Sequence, residues 1–208
     1  MAQPDNTKAN SLAHLHMRIV RRVLRCLLEF LVTRNNPHRT LDEYIKQNGD
    51  QILESDLGRR HRQILFPRGH AVTIDMLPLY LIEFLISHDY ESSLINREIK
   101  DTLHELNQKR KEMYSEIVTG VDDSFFKEHL EKVQQLLTAL CQFMENDPLT
   151  VELQEETANI QQANVYHTDD VLDEFKHQQE LEKSHRKSIT SFGDGSIVVV
   201  FKTICKYK

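Results

Sequence analysis

The sequence predicts an all-α protein, a helical bundle with a C-terminal helical extension and one terminal β-strand. Its 208 residues include only six Gly and five Pro, too few for the many tight turns of a β-sandwich or barrel. Apolar residues recur at spacings of three and four through most of the chain, which is the period of an amphipathic helix. One β-branched, apolar run at residues 196–205 is typical of a strand instead.

Composition excludes several classes of protein. No apolar run approaches the roughly 20 residues of a membrane span, and the three widely spaced cysteines (Cys26, Cys141 and Cys205) argue against a disulfide framework or a zinc-ribbon or RING site. We therefore expect a soluble, cytoplasmic protein that binds no membrane, no metal and no cofactor.

The net charge of −6 is unevenly distributed along the chain. Residues 1–70 contain 12 Lys and Arg against 7 Asp and Glu, whereas the remaining residues contain 14 against 25. The positive first third could form a surface for a polyanion such as RNA, but the chain as a whole does not have the charge of a dedicated nucleic-acid binder.

The first third predicts one long helix followed by shorter ones. Residues 1–10 predict a disordered polar leader, and residues 11–34 form an amphipathic helix that ends before Pro37. Its polar face carries the four arginines Arg18, Arg21, Arg22 and Arg25. These side chains either form a solvated helix face or contact RNA phosphates. Shorter helical pieces continue to residue 65, and residues 64–69 form an apolar plug and a turn.

The middle of the chain predicts three core helices. Thr73 or Asp75 caps an apolar helix over residues 76–88, and Ser92 or Ser93 begins the next helix, from residue 94 to about residue 118. The apolar line of that second helix is interrupted by a charge at Arg110. Gly120 ends it, and Asp122 or Asp123 caps a third helix that extends to about residue 145.

Beyond residue 146 the composition becomes polar. Residues 147–190 are rich in Gln, Glu and Lys and predict a polar helical linker. Residues 191–208 contain a turn and the strand, which has no partner strand in this chain and is interpreted as the start of a second module or as an edge that pairs with another chain. The predicted bundle therefore occupies residues 11–146.

The middle of the chain resembles a known family. The succession HRQILFP, an apolar helix, NREIKDTLHELNQKRKEMYSEI, a turn and VDDSFFKEHLEKVQQLLTAL resembles a HEPN domain (higher eukaryotes and prokaryotes nucleotide-binding), of the subtype found in the DAZ-interacting zinc-finger ubiquitin ligase and in invertebrate relatives. The resemblance covers roughly residues 10–145. It implies a HEPN-like bundle that forms dimers, within a multidomain protein of innate immunity or of the ubiquitin system.

The motif of that family, RNxxYGH, is degenerate here. Arg110 and Tyr114 match its Arg and Tyr, whereas Lys111 replaces Asn and Glu116 replaces His. In the family, Arg and His from two subunits are thought to cleave RNA without metal, and His suits proton transfer near neutral pH. A glutamate begins near pKa 4.3 and would place a negative charge beside phosphate. We therefore expect no enzymatic activity.

These observations favour a non-catalytic module for protein interaction or self-association, with a homodimer or another protein as partner. The predicted interface is the face around Arg110, Met113, Tyr114 and Ile117. For Arg110 itself, a structural ion pair with an acidic residue is the competing interpretation. The alternative function is RNA binding or a residual metal-independent endoribonuclease that uses Arg110 with Lys111 or Glu116.

Overall fold

The structure, a computed structural model, describes residues 7–55, 57–88, 95–161 and 169–192, with the backbone alone for residues 118, 169–170 and 183–192. Every regular element in these ranges is a helix. The elements are α1 (Thr7–His14), a π-helical segment (Leu15–Val20), α2 (Arg21–Thr33), α3 (Leu41–Gln47), α4 (Gly49–Glu54), α5 (Arg59–Leu65), a 3-10 turn (Ile74–Met76), α6 (Leu79–His88), α7 (Arg97–Thr119), α8 (Asp123–Phe143), α9 (Asp147–Gln161) and α10 (Asp169–Phe192).

The first three elements form one unbroken rod. His14 and Arg21, at its two junctions, keep right-handed helical dihedral angles, so the predicted long helix is confirmed, although it begins at Thr7, within the predicted leader. Its core positions Leu15, Ile19 and Val23 are four residues apart, more than the 3.6 residues of an α-helical turn. The wider π turn keeps such positions on the buried side, and all three side chains are buried.

The predicted start of α6 is wrong, and a proline explains the difference. Residues 74–76 form a short 3-10 turn, and Leu77, which precedes Pro78, is extended. A residue before proline is disfavoured in the α conformation, so α6 begins only at Leu79. Its burial in the core is confirmed, because Leu81, Ile82, Leu85 and Ile86 have almost no exposed surface.

The long helices α7 and α8 begin and end at identifiable caps. Asn96, rather than Ser92 or Ser93, caps α7 by accepting a 2.9 Å hydrogen bond from the Ile99 amide. Gly120 ends α7 with a φ of 104°, as predicted. Asp122 caps α8 through a 2.8 Å hydrogen bond from the Phe125 amide, which was also predicted.

The hydrophobic core continues past residue 146. Leu153 and Ile160 of α9 and Phe175 of α10 are buried in the same cluster as α2, α6 and α8. α9 packs along α8, and α10 packs against α1 and the π-helical segment. We therefore describe residues 147–161 and 169–182, which the sequence analysis assigned to a linker, as part of the bundle. The predicted strand at residues 196–205 lies outside the described residues.

In the described part of the chain, no helix combines the length and the apolar character that a membrane crossing requires.

Candidate functional site

The buried face of α7 carries the arginine that the sequence singles out. Leu106 and Met113 are buried on either side of Arg110 along this helix. Arg110 itself is only 2 % exposed. The charge therefore lies inside the protein, where it requires compensating partners.

Two carboxylates from distant helices supply that compensation. Arg110 Nη2 lies 2.7 Å from Glu83 Oε2 on α6, and Arg110 Nη1 lies 2.9 Å from Glu182 Oε2 on α10. Asn107, one turn earlier on α7, donates to Glu83 over 3.3 Å and accepts from Arg110 over 3.4 Å. α7 is thereby joined to α6 and α10 by one network of charge-assisted hydrogen bonds.

This network limits what Arg110 can do chemically. Each terminal nitrogen of its guanidinium already donates to a carboxylate within the chain. A phosphate would have to displace one carboxylate, and a displaced buried carboxylate would lose its counter-ion at high cost. In this conformation Arg110 is a structural ion-pair residue.

The other motif positions occupy the same helix beyond Arg110. The Tyr114 hydroxyl donates to Glu180 Oε1 of α10, and Lys111 is half-buried. Glu116, also half-buried, accepts a 3.3 Å hydrogen bond from the Thr119 hydroxyl.

The predicted interface residues pack within the chain. Met113 is fully buried, and Tyr114 and Ile117 are partly buried against the core. α10 contacts two of the four predicted interface residues, Arg110 and Tyr114, through its glutamates. A partner could reach the same face of α7 only where α10 leaves it exposed or when α10 moves away.

The four arginines of the first helices are also paired within the chain. Arg18 and Arg21 both lie near Glu174 of α10, at 3.2 Å and 3.7 Å. Arg22 lies 2.9 Å from Glu156 of α9, and Arg25 lies 2.8 Å from Asp75. The charges that the sequence offered as RNA contacts are thus largely balanced by acidic residues of later helices.

A pair of buried histidines lies beneath α10. His16, in the π-helical segment, and His129, in α8, have their Nε2 atoms 2.9 Å apart, so one ring donates to the other. Burial, His129 and the positive charge of Arg110 lower the pKa of His16 well below 6.5. Burial, with Lys109, lowers the pKa of His129 to about 4. The pair is therefore neutral at pH 7.

The surroundings of this pair do not suit a metal ion. The aromatic ring of Phe175 lies 5.9 Å from that of His16 between centroids, and the nearby charges on Arg110 and Lys109 are positive. Within the described ranges, no group of three or more His, Cys, Asp or Glu side chains is arranged to hold a metal.

A cavity of about 720 Å³ opens beside the Arg110 network. Its walls include both carboxylates of the network together with Asn107, Tyr80, Phe84 and His61. Burial raises the pKa of Tyr80 to about 12, so the phenol stays protonated and neutral at pH 7.

Sequence reasoning missed the residues that complete this site. Glu83 was detectable as the one carboxylate in an otherwise apolar helix, and His129 interrupts the apolar line of α8. Glu182 and Glu174 could not be identified in this way, because α10 contains many charged residues. Which of them are buried or paired depends on how the helices pack.

Comparison with known proteins gives no relative: no family model, no curated protein and no solved structure matches this chain.

Proposed function

We propose that this chain is a non-catalytic, HEPN-like helical module whose role is protein interaction through self-association. The observation that carries the non-catalytic part of the proposal is the engagement of Arg110 by Glu83 and Glu182 inside the chain. An arginine held in this way stabilises the packing of helices, and it is poorly placed to bind the phosphate of a substrate.

Two further observations argue against the ribonuclease alternative. Glu116 stands where the HEPN motif has its histidine, and a carboxylate near phosphate repels it. The arginines of the first helices are paired with acidic residues, which weakens any attraction for a polyanion.

The arrangement of α10 supports an interaction role. An amphipathic helix that lies in a groove between other helices is a recurring mode of protein recognition, and α10 occupies such a groove beside α1 and α7 with both apolar and charged contacts. The same face of α7 is the interface that the sequence predicts.

A ribonuclease assay tests the absence of catalysis. Purified protein is incubated with single-stranded RNA in EDTA, beside the Arg110→Ala and Glu116→His variants, and folding is checked by circular dichroism. We expect no cleavage by the unmodified protein. Cleavage that disappears in Arg110→Ala would contradict the proposal and favour the enzyme. Cleavage by Glu116→His alone would agree with a non-catalytic native chain, but it would contradict the assignment of Arg110 as a residue that its ion pairs keep from binding phosphate.

A further inference from the structure

We propose that a concavity at α5 binds a phosphorylated tyrosine of a partner protein. Arg59, Arg62 and Arg68, which we call the arginine cluster, bind the phosphate, and the ring of Phe66 contacts the tyrosine ring. Such a site is independent of self-association, because no second copy of the chain takes part.

The arginine cluster has no acidic partner of its own. The arginines of the long first rod pair with carboxylates of α9, α10 and the 3-10 turn. By contrast, no carboxylate in the part of the chain that the structure describes forms an ion pair with the arginine cluster or with the neighbouring Arg60. All four of these side chains are exposed. Like charges so close along the chain repel one another, and a bound anion would relieve that repulsion.

The three arginines line one concavity together with an aromatic ring. Its volume is about 610 Å³, and its described walls are Arg59, Arg62, Gln63, Phe66, Pro67 and Arg68. Arg59 and Arg62 are three residues apart on α5, so they are neighbours on one face of the helix. None of the described wall residues is acidic. A concavity of this volume is large enough for a group of small-molecule size, such as a phosphorylated side chain.

The framework of the concavity is held by the core. His61 and Leu65 of α5 are buried, and the half-buried ring of Phe66 packs against the core cluster. Arg62 Nε donates a 3.0 Å hydrogen bond to the Leu57 carbonyl. This bond orients the guanidinium and leaves its two terminal nitrogens for a ligand. Donors that are already held in place lose less conformational entropy when they bind.

A phosphate monoester is the anion that suits these donors. It carries a charge of about −1.5 to −2 at pH 7 and has three strong acceptor oxygens. A guanidinium donates two parallel hydrogen bonds to such a group. A carboxylate has a smaller charge and two oxygens, so it would satisfy fewer of the donors that three arginines present.

The distribution of charge favours one phosphorylated side chain over a nucleic acid. Nucleic-acid binding through the backbone draws on several phosphates along a strand, whereas the arginine cluster is confined to one concavity and the whole chain has a net charge of −6. The Phe66 ring adds an aromatic surface beside the arginines, and contacts between aromatic rings contribute to binding. Phosphotyrosine presents a ring and a dianion together.

Fluorescence anisotropy with the full chain tests this site. The probe is a fluorescein-labelled peptide, Gly-Ala-phosphotyrosine-Ala-Gly, beside the same peptide with unmodified tyrosine. We expect saturable binding of the phosphopeptide, displacement by phenyl phosphate, and binding of the unphosphorylated peptide that is weaker by about tenfold or more. Equal binding of the two peptides, or no binding of either, would overturn the proposal.

A variant of the arginine cluster locates the binding. Arg59→Gln with Arg62→Gln should weaken phosphopeptide binding by about tenfold or more, because it removes charge-assisted donors, and circular dichroism checks that the variant is folded. The matched control is Arg97→Gln with Lys100→Gln, which removes two exposed positive charges at the same spacing on α7. It should change the affinity by less than about twofold, because distant exposed charges are screened. Equal weakening by both variants would show that net charge alone attracts the peptide, and the proposed site would be wrong.

Two competitors test the identity of the ligand. A phosphoserine peptide of otherwise the same sequence should bind more weakly, and equal affinity would overturn the assignment of tyrosine. A single-stranded RNA oligonucleotide that binds more tightly than the phosphopeptide, and that loses binding in the arginine-cluster variant, would make the concavity a nucleic-acid contact instead. None of these results depends on the mass of the particle, so their failure leaves self-association untouched.

Discussion

At the scale of single residues, the central feature is the buried Arg110 and its two ion-pair partners. Its position on the apolar line of a helix can be read from the sequence, and so can the expectation that it pairs with an acidic residue. Its partners cannot, because Glu83 and Glu182 are 27 and 72 residues away. Only the packing of α6 and α10 against α7 brings the three side chains together.

Removal of Arg110 should destabilise the fold strongly. Arg110→Met leaves two buried carboxylates without their counter-ion, and loss of one partner of a buried pair costs about 3–5 kcal/mol. The triple variant Arg110→Met, Glu83→Leu and Glu182→Leu should lose less, because no buried charge of the network is left unpaired. Chemical denaturation measures both free energies of unfolding.

The half-exposed pair between Lys132 and Glu105, at 2.7 Å, provides the control. Lys132→Met should cost at most about 1 kcal/mol, because exposed ion pairs contribute little. If Arg110→Met cost no more than this control, the assignment of Arg110 as a structural ion-pair residue would be wrong.

The His16 and His129 pair should make stability depend on pH. The fold lowers the pKa of both rings, to about 4 for His129, whereas an unfolded histidine titrates near 6.5. Between these values the unfolded chain binds more protons than the folded one. The contribution of the pair to the free energy of unfolding is therefore fully present above about pH 6.5. It is lost as the pH falls toward 4, and the loss for His129 is about 3 kcal/mol.

Denaturation at several pH values, in the unmodified chain and in a His16→Gln, His129→Gln variant, measures this effect. We expect a smaller loss of stability in the variant between pH 6.5 and pH 4. The exposed His70 provides a matched control, since His70→Gln should leave the pH dependence as it is. An unchanged slope in the double variant would show that the pair does not titrate as described.

At the scale of elements, helices with strong periodicity and clear caps could be predicted from sequence. The ends of α7 and the start of α8 follow from Gly120 and Asp122. The start of α6 was misplaced because Pro78 acts on the residue before it. The packing of α9 and α10 was missed because their apolar residues are sparse, and a polar helix can still bury a narrow stripe when its charges find partners.

The burial of Phe175 makes α10 part of the core. Truncation of this side chain measures how much its packing contributes to the free energy of unfolding. Phe175→Ala should lower the free energy of unfolding by about 3–5 kcal/mol, which for a chain of this size lowers Tm by roughly 6–20 °C. Val151→Ala on α9 is the control, because that apolar side chain is 54 % exposed and its loss should change Tm little. Equal melting temperatures for the two variants would mean that α10 is not packed as described.

At the scale of the whole molecule, folding compensates part of the charge asymmetry of the sequence. Arg18, Arg21 and Arg22 of the positive first third face glutamates of α9 and α10. Net charge along a sequence predicts a partner only if the fold leaves that charge exposed, and here much of it is compensated internally.

Self-association of the unmodified full chain tests the central claim most directly. Sedimentation equilibrium over a wide range of protein concentration, at physiological salt, measures the mass of the particle in solution. The interaction module that we propose predicts a reversible transition from monomer to dimer as the concentration rises. A single monomeric mass at every concentration would contradict it.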